Sequence, residues 1–246
     1  MLLHLVTGPL RDPESLNKPA TPAIGDANMI GTIPGMDVHY GLLYGLIACV
    51  LAYVLFVRTP FGFATRIVGG NVRAARIAGL PVGRLIVTAS FLGGACAGLA
   101  GMLEIAAVHR RANDSLVAGY GYAGILVAFL ARQHPLAIVP IAHRVDAELG
   151  WWGVPLALLA GAIRISTPFL FVSLGECLTE RSGRINLGLE GNLVLGAMSA
   201  YAVSYLSGSP WLGVLAAGGA GMALGGLHAW ICGRPRVNDI AAGSRS

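Results

Sequence analysis

The chain has 246 residues, of which 55% are hydrophobic and only 12% charged, with 35 glycines and a mean hydropathy of +0.68. Length alone would allow one or two soluble domains, but this composition excludes them and describes a polytopic helical membrane protein whose small residues let helices approach closely. A formal charge of +5 could suggest nucleic acid, yet the arginines stand between apolar runs and make no continuous basic face, so membrane topology explains them and no nucleic-acid partner is expected.

Residues 1–37 are polar and turn-rich, with Pro9, Pro13, Pro19, Pro22 and Pro34 among Gly, Asn and Asp. An irregular loop without a core of its own, on the outer face, is expected. The N-terminus lacks a basic n-region and a long apolar core, so no signal peptide is read there. Val38 to Val57 is an uncharged apolar run long enough to cross ~30 Å of hydrocarbon, and it ends at Arg58. Arg58, Arg66, Arg73, Arg76 and Arg84 then follow with no Asp or Glu among them, the mark of a cytoplasmic loop. Inside that loop Asn71 is a good N-cap, VRAARIA is helix-compatible, Gly79 suits the C′ position and Pro81 prevents continuation. Ala74, Ile77 and Ala78 share one face of this short helix, and Arg73 and Arg76 share another. Two uses are open for the small-residue face: docking on a partner's groove, or packing on the chain's own bundle.

Leu85 to Val108 is the second predicted span. Gly94 and Gly98 form a GxxxG step, and Gly93, Ala97 and Gly101 continue a flat face for close helix packing. Glu104 near its far end is either a solvated interfacial acid or a transport residue. The run 119–142 is broken at Arg132 and Pro135, and each piece is too short to span, which predicts a broken or re-entrant element. Gly119, Gly121 and Gly124 match GxGxxG by letter, but no strand precedes them and no dinucleotide site is read. Residues 142–150, AHRVDAELG, form a sudden polar interval; His143 and Asp146 there are too few to argue for a metal, and a linker is expected.

After Trp151 and Trp152, Thr167-Pro168 is expected to bend or break the next apolar run. In RINLGLEGN, a helix carrying both Asn186 and Glu190 would place an amide and a carboxylate on one face at i, i+4 spacing. They either line a path for a hydroxylated or base-bearing solute or brace backbone at a helix break. Trp211 to Ile231 is the last predicted span, with Gly221 and Gly225 as a second GxxxG step. The four cysteines lack any CxxC pair and imply neither disulfide nor metal.

The run RIVGGNVRAARIAGLPVGRL with SFLGGACAGLAGMLE resembles the cytoplasmic coupling segment and following helix of bacterial ABC importer permeases of the sugar and nucleoside type. That resemblance implies that Gly69, Asn71, Arg73, Ala74, Ala75, Arg76 and Gly79 belong to a segment that docks on an ATP-hydrolysing subunit. A second stretch, TPFLFVSLGECLTERSGRINLGLEGNLVLGA, is similar to the opening part of the sister permease of such importers, a region near the translocation path. The chain thus reads as 38–141 resembling a later part of one permease, a linker or fusion seam at 142–150, and 151–233 resembling the beginning of its sister. A polar tail, 234–246, closes the chain. In the family a sequence like RVNDIAAG leads into further spans, so the C-terminus reads as truncated and the whole as an in-frame fusion.

The fold expected is therefore an all-α, polytopic helical membrane protein with broken or re-entrant elements. The resemblance implies an importer permease subunit of the bacterial inner membrane, moving nucleosides or related sugars by alternating access. Its partners would be an ABC ATPase, a second permease, a substrate-binding lipoprotein or periplasmic protein, and lipid. No GxxxxGK[ST] loop is present, so ATP and Mg would sit on the partner ATPase and the chain itself would hold no cofactor. HExxH, GxSxG and paired intramembrane aspartates are also missing, which argues against an enzyme. Two alternatives stay open: a truncated, non-transporting membrane fragment or assembly partner, and a permease for branched-chain amino acids. Counting every apolar run as a crossing would place Arg234, Arg236 and Arg245 outside; the tail moves inside if one broken element, 119–142 or 163–190, fails to cross.

Overall fold

The computed structural model describes residues 11–13, 20–34, 39–112, 120–132, 134–138, 155–183, 186 and 188–232. Side chains of residues 120, 155–166 and 232 are likewise left undescribed. The polar interval 142–150, Trp151 and Trp152, and the tail 234–246 all lie outside the described residues.

Among the described residues the main α-helices follow in order: α1 Gly41–Arg58, α2 Pro60–Gly70, α3 Val72–Ile77, α4 Val82–Leu103, α5 Tyr120–Leu130, α6 Pro155–Glu180, α7 Leu189–Ser207 and α8 Pro210–Cys232. No strand occurs among the described residues; an isolated bridge joins Thr32 and His39. Among the described residues, three stretches are long and apolar enough to cross a membrane: Gly41–Arg58, Val82–His109 and Pro210–Ile231. Each overlaps a predicted span and differs from it by a few residues at its ends.

Helix α4 is the axis of the bundle, and glycine decides how close its neighbours come. A Cβ on Gly94 would collide with the Gly221 carbonyl, one on Gly98 with the Ala217 carbonyl, and one on Gly225 with the Ser90 carbonyl. These contacts make α8 antiparallel to α4. The C-terminal end of α8 therefore lies on the side of Val82 and of the arginine-rich loop. On other faces of α4, Gly93 meets the Gly175 carbonyl of α6, and Gly101 meets Leu193 of α7. Backbone approach of this kind maximises van der Waals contact where lipid supplies no hydrophobic drive.

Helix α6 runs unbroken for 26 residues with Pro168 inside it, which corrects the break expected as one of two outcomes at Thr167-Pro168. Leu170, Phe171, Val172, Leu174, Cys177 and Leu178 are all buried just beyond the proline, so packing holds the helix where local propensity would end it. A membrane helix tolerates a proline because neighbouring groups satisfy the freed backbone. By contrast, α5 has 11 residues. At ~1.5 Å per residue it covers only about half of the hydrocarbon thickness.

The described part of the N-terminal segment has no core of its own but is tied down. Thr21 N–H donates to the Ala112 carbonyl at 3.0 Å, Ile24 to Arg110 at 3.0 Å and Ile30 to Ala106 at 2.9 Å, so the segment runs along the stretch that follows α4. Ala20 and Ile24 are buried by this pairing. Asp26 and Asp12 approach Arg110 and Arg111 at 3.3 and 3.6 Å.

Candidate functional site: a coupling segment and an intramembrane polar cluster

The arginine-rich loop folds by local rules. Thr59 caps α2 by accepting from the Gly62 N–H at 3.3 Å, with Pro60 in the first turn where its missing N–H costs nothing. Asn71 ends α2 and starts α3: its Oδ1 accepts the N–H groups of Arg73 at 2.9 Å and Ala74 at 3.0 Å. At the other end Gly79 has φ +74°, Gly79 N–H donates to Arg76 O and Leu80 N–H to Ala75 O, both at 3.0 Å. That pair of bonds is a Schellman closure, which needs a residue able to take positive φ.

Only one side chain of α3 faces inward. Ala75 is 0% exposed and packs with Val68, Val82, Leu85 and Ile86. Ala74, Ile77 and Ala78, the small-residue face of the sequence reading, point away from the bundle, and Ile77 is 83% exposed. Arg73 and Arg76 are exposed beside them. The remaining residue of the segment, Gly69, lies against α6's end: a Cβ there would stand 2.6 Å from the Arg181 carbonyl oxygen.

The second cluster is buried between helices. Asn186 is 2% exposed but is not helical, which corrects the i, i+4 picture of Asn186 and Glu190 on one helix face. Its N–H donates to Glu176 Oε1 at 3.1 Å, and its Oδ1 accepts from the Gly188 N–H at 3.1 Å. The Thr179 hydroxyl donates to Glu176 Oε2 at 3.0 Å. Asn186 therefore folds back to the level of Glu176, so that α7 begins inside the bundle. Glu190, in the first turn of α7, accepts from the Gly121 N–H at the start of α5 at 3.3 Å. A carboxylate suits that place, in the first turn of its own helix and bonded to an N–H in the first turn of another. Asn186 and Glu190 thus serve different elements, α6 and α5. Asn186 Nδ2 and Ser173 Oγ are buried with no hydrogen-bond partner among the described residues.

Glu104 is 0% exposed, which corrects its reading as a solvated interfacial acid. Residues Glu104–His109 continue α4 as a π-helix, and His109 Nδ1 lies 2.9 Å from Glu104 Oε1. In an α-helix, positions five apart point ~140° away from each other. The wider π turn closes that angle, so the pair was not visible in a helical reading of the sequence.

Glu176 and Arg181 were not singled out in the sequence. Glu176 is 0% exposed on α6, and an acid within a mostly apolar run is the signal that could have found it. The Arg181 guanidinium sits 5.4 Å from the Phe56 ring centroid, and Arg66 Nη2 donates to the Phe56 carbonyl at 3.1 Å. Burial pushes the Arg181 pKa down from the usual guanidinium value, and the nearby Arg66 acts in the same direction.

Residues 1–145 and 150–244 match the family described as the permease component of branched-chain amino acid transport systems. The unmatched residues 146–149 fall within the polar interval 142–150. A glucose ABC transporter permease protein of Haloferax volcanii is 34% identical over 146 residues, covering 55% of this chain and 38% of the relative. A guanosine ABC transporter permease protein of Bacillus subtilis is 31% identical over 134 residues, covering 54% of this chain and 36% of the relative. A nucleoside ABC transporter permease protein of Lactococcus lactis is 32% identical over 93 residues, covering 35% and 29%. The chain thus spans about a third of the length of these curated relatives. No solved structure matches it. With nearly its whole length matched, this all-α membrane chain belongs to the family of ABC-type permease components.

Proposed function

We propose that the chain is a transmembrane permease subunit of an ABC importer that moves nucleosides or related sugars inward across the bacterial inner membrane. The observation that carries this reading is the outward presentation of α3. Its arginines and its Ala74–Ile77–Ala78 face are left free, while Ala75 and two caps hold the helix rigidly. A six-residue helix is unstable alone in water, so an anchored one that spends its apolar face outward is built to meet another protein. That protein is an ABC ATPase carrying ATP and Mg. A second permease subunit and a substrate-binding lipoprotein or periplasmic protein complete the importer.

Relatives named for guanosine, nucleosides and glucose favour a hydroxylated solute over branched-chain amino acids. Asn186, Glu190 and Glu104 are the proposed path residues, and the unspent donors Asn186 Nδ2 and Ser173 Oγ suit hydroxyl or base acceptors. The proposed cycle is alternating access. ATPase closure pushes on α3, and the glycine-faced helices α4 and α8 shift to open the path on the other side.

The test is co-purification of the detergent-solubilised chain with the ATPase subunit, in wild type and in the Arg73→Glu, Arg76→Glu double variant. Retention in wild type that is lost in the variant is the expected result; a folded wild type that retains no ATPase sinks the reading. A second reading is an assembly partner that docks an ATPase without transporting by itself, since Asn186 and Glu190 already hold the Gly188 and Gly121 N–H groups. Uptake of labelled guanosine or glucose in cells lacking other permeases separates the two.

A further inference from the structure

We infer that the backbone contact between Gly69 and Gly183 is a mechanical relay that joins α3 to the buried Glu176–Asn186 pair, so that displacing one shifts the other. The inference rests on the reading of α3 as the docking element and adds the route by which a push there reaches the membrane interior.

On the loop side, α2, α3 and the start of α4 share one small core: Val68, Ala75, Val82, Leu85 and Ile86. A force on α3 therefore moves Gly69 with it. On the other side, a Cβ on Gly69 would stand 2.6 Å from the Arg181 carbonyl oxygen, and a Cβ on Gly183 would stand 2.9 Å from the Gly69 Cα. Gly183 has φ +82°, so its glycine is required twice, for conformation and for space. Backbone meets backbone here. No rotamer lies between the two segments to absorb a displacement, and close-packed contacts pass strain on.

Three residues beyond Gly183, the Asn186 N–H is tied to Glu176, and the Asn186 side chain holds the Gly188 N–H at the start of α7. Asn192 N–H then donates to the Gly188 carbonyl at 3.0 Å. In the relay, a shift of Arg181–Gly183 loads these bonds, which stand three to five residues further along the chain. Phe56 gives a second tie, since Arg66 of α2 bonds its carbonyl while Arg181 covers its ring. Glu176 and Asn186 are positioning residues in this scheme.

Gly70 supplies the control, because a Cβ there would meet nothing within 4 Å. Hydrogen exchange on the purified full chain is measured for Gly69→Ala, Gly70→Ala and Glu176→Gln. Gly69→Ala is expected to speed exchange of the Asn186, Gly188 and Asn192 amides about fivefold or more, the low end of usual site-to-site coupling, while Gly70→Ala leaves them unchanged. Coupling is reciprocal, so Glu176→Gln is expected to speed the Arg73 and Ala74 amides. Equal behaviour of Gly69→Ala and Gly70→Ala at Asn186–Asn192 overturns the relay, as does a Glu176→Gln effect that stops at Gly183. If Gly69→Ala does not fold, the Glu176→Gln arm alone decides. With the ATPase added, Gly69→Ala is expected to retain the subunit but lose the ATP-dependent change in exchange at Asn186–Asn192 seen in wild type. Loss of retention in wild type itself counts against docking, and the exchange arms without ATPase still decide the relay.

Discussion

The loop from Thr59 to Pro81 and the cluster around Glu176 contain similar groups, capping side chains, arginines and close glycines, yet they were unequally readable. In the loop every bond that shapes α3 spans five residues or fewer: Asn71 to Arg73 and Ala74, Gly79 to Arg76, Leu80 to Ala75. In the cluster the shaping bonds join different elements, Asn186 to Glu176 and Glu190 to Gly121 across 69 positions. Local capping chemistry can be read from order along the chain. Which buried carboxylate meets which N–H is set by how the helices pack.

The strongest way to break this contrast is to attack the packing itself. Gly98→Leu puts a side chain where even a Cβ collides with the Ala217 carbonyl, and is expected to cost about 3 kcal/mol or to abolish assembly. The check is the yield of monodisperse protein in detergent and its melting temperature. Next comes Glu176→Ala, which orphans the buried Asn186 N–H at about 1–3 kcal/mol, while the Thr179 hydroxyl keeps the Gly175 and Glu176 backbone carbonyls as acceptors. Glu176→Gln, which keeps an acceptor, is expected to lose less, and equal melting losses for both variants would show that the carboxyl's bonds do not hold Asn186.

Within the loop, Asn71→Ala is expected to cost about 1 kcal/mol and to speed amide exchange confined to α3. Exchange spreading to α4 and α6 would show the loop to be less local than its bonds suggest. The smallest stability effect is expected from Ile77→Ser, within about 0.5 kcal/mol because the side chain is exposed. The same variant is expected to weaken ATPase retention. A melting shift larger than that would mean that Ile77 packs on the bundle after all.

Glu104 and Pro168 carry the same lesson inside the membrane. Glu104, near the end of its span, was open to two readings, a solvated interfacial acid or a transport residue, and its burial beside His109 in the π-helical stretch removes the first. Pro168 read as a bend or break because proline lacks a donor, and the buried residues after it kept α6 whole. In each case a local rule was sound and a larger packing term overrode it.

The sequence by itself determined the solvent, the class and the caps: apolar runs separated by arginines require a helical membrane protein, and Thr59, Asn71 and Gly79 set the ends of α2 and α3 through bonds to near neighbours. It also held the small-residue steps Gly94, Gly98, Gly221 and Gly225. Tertiary structure alone decided that these steps face one another, that α8 runs antiparallel to α4, and that Asn186 leaves the helix to meet Glu176. The physical reason is range. A cap is satisfied within one turn of its own helix, whereas a buried polar group or a bare glycine face waits for whichever helix the bundle brings against it.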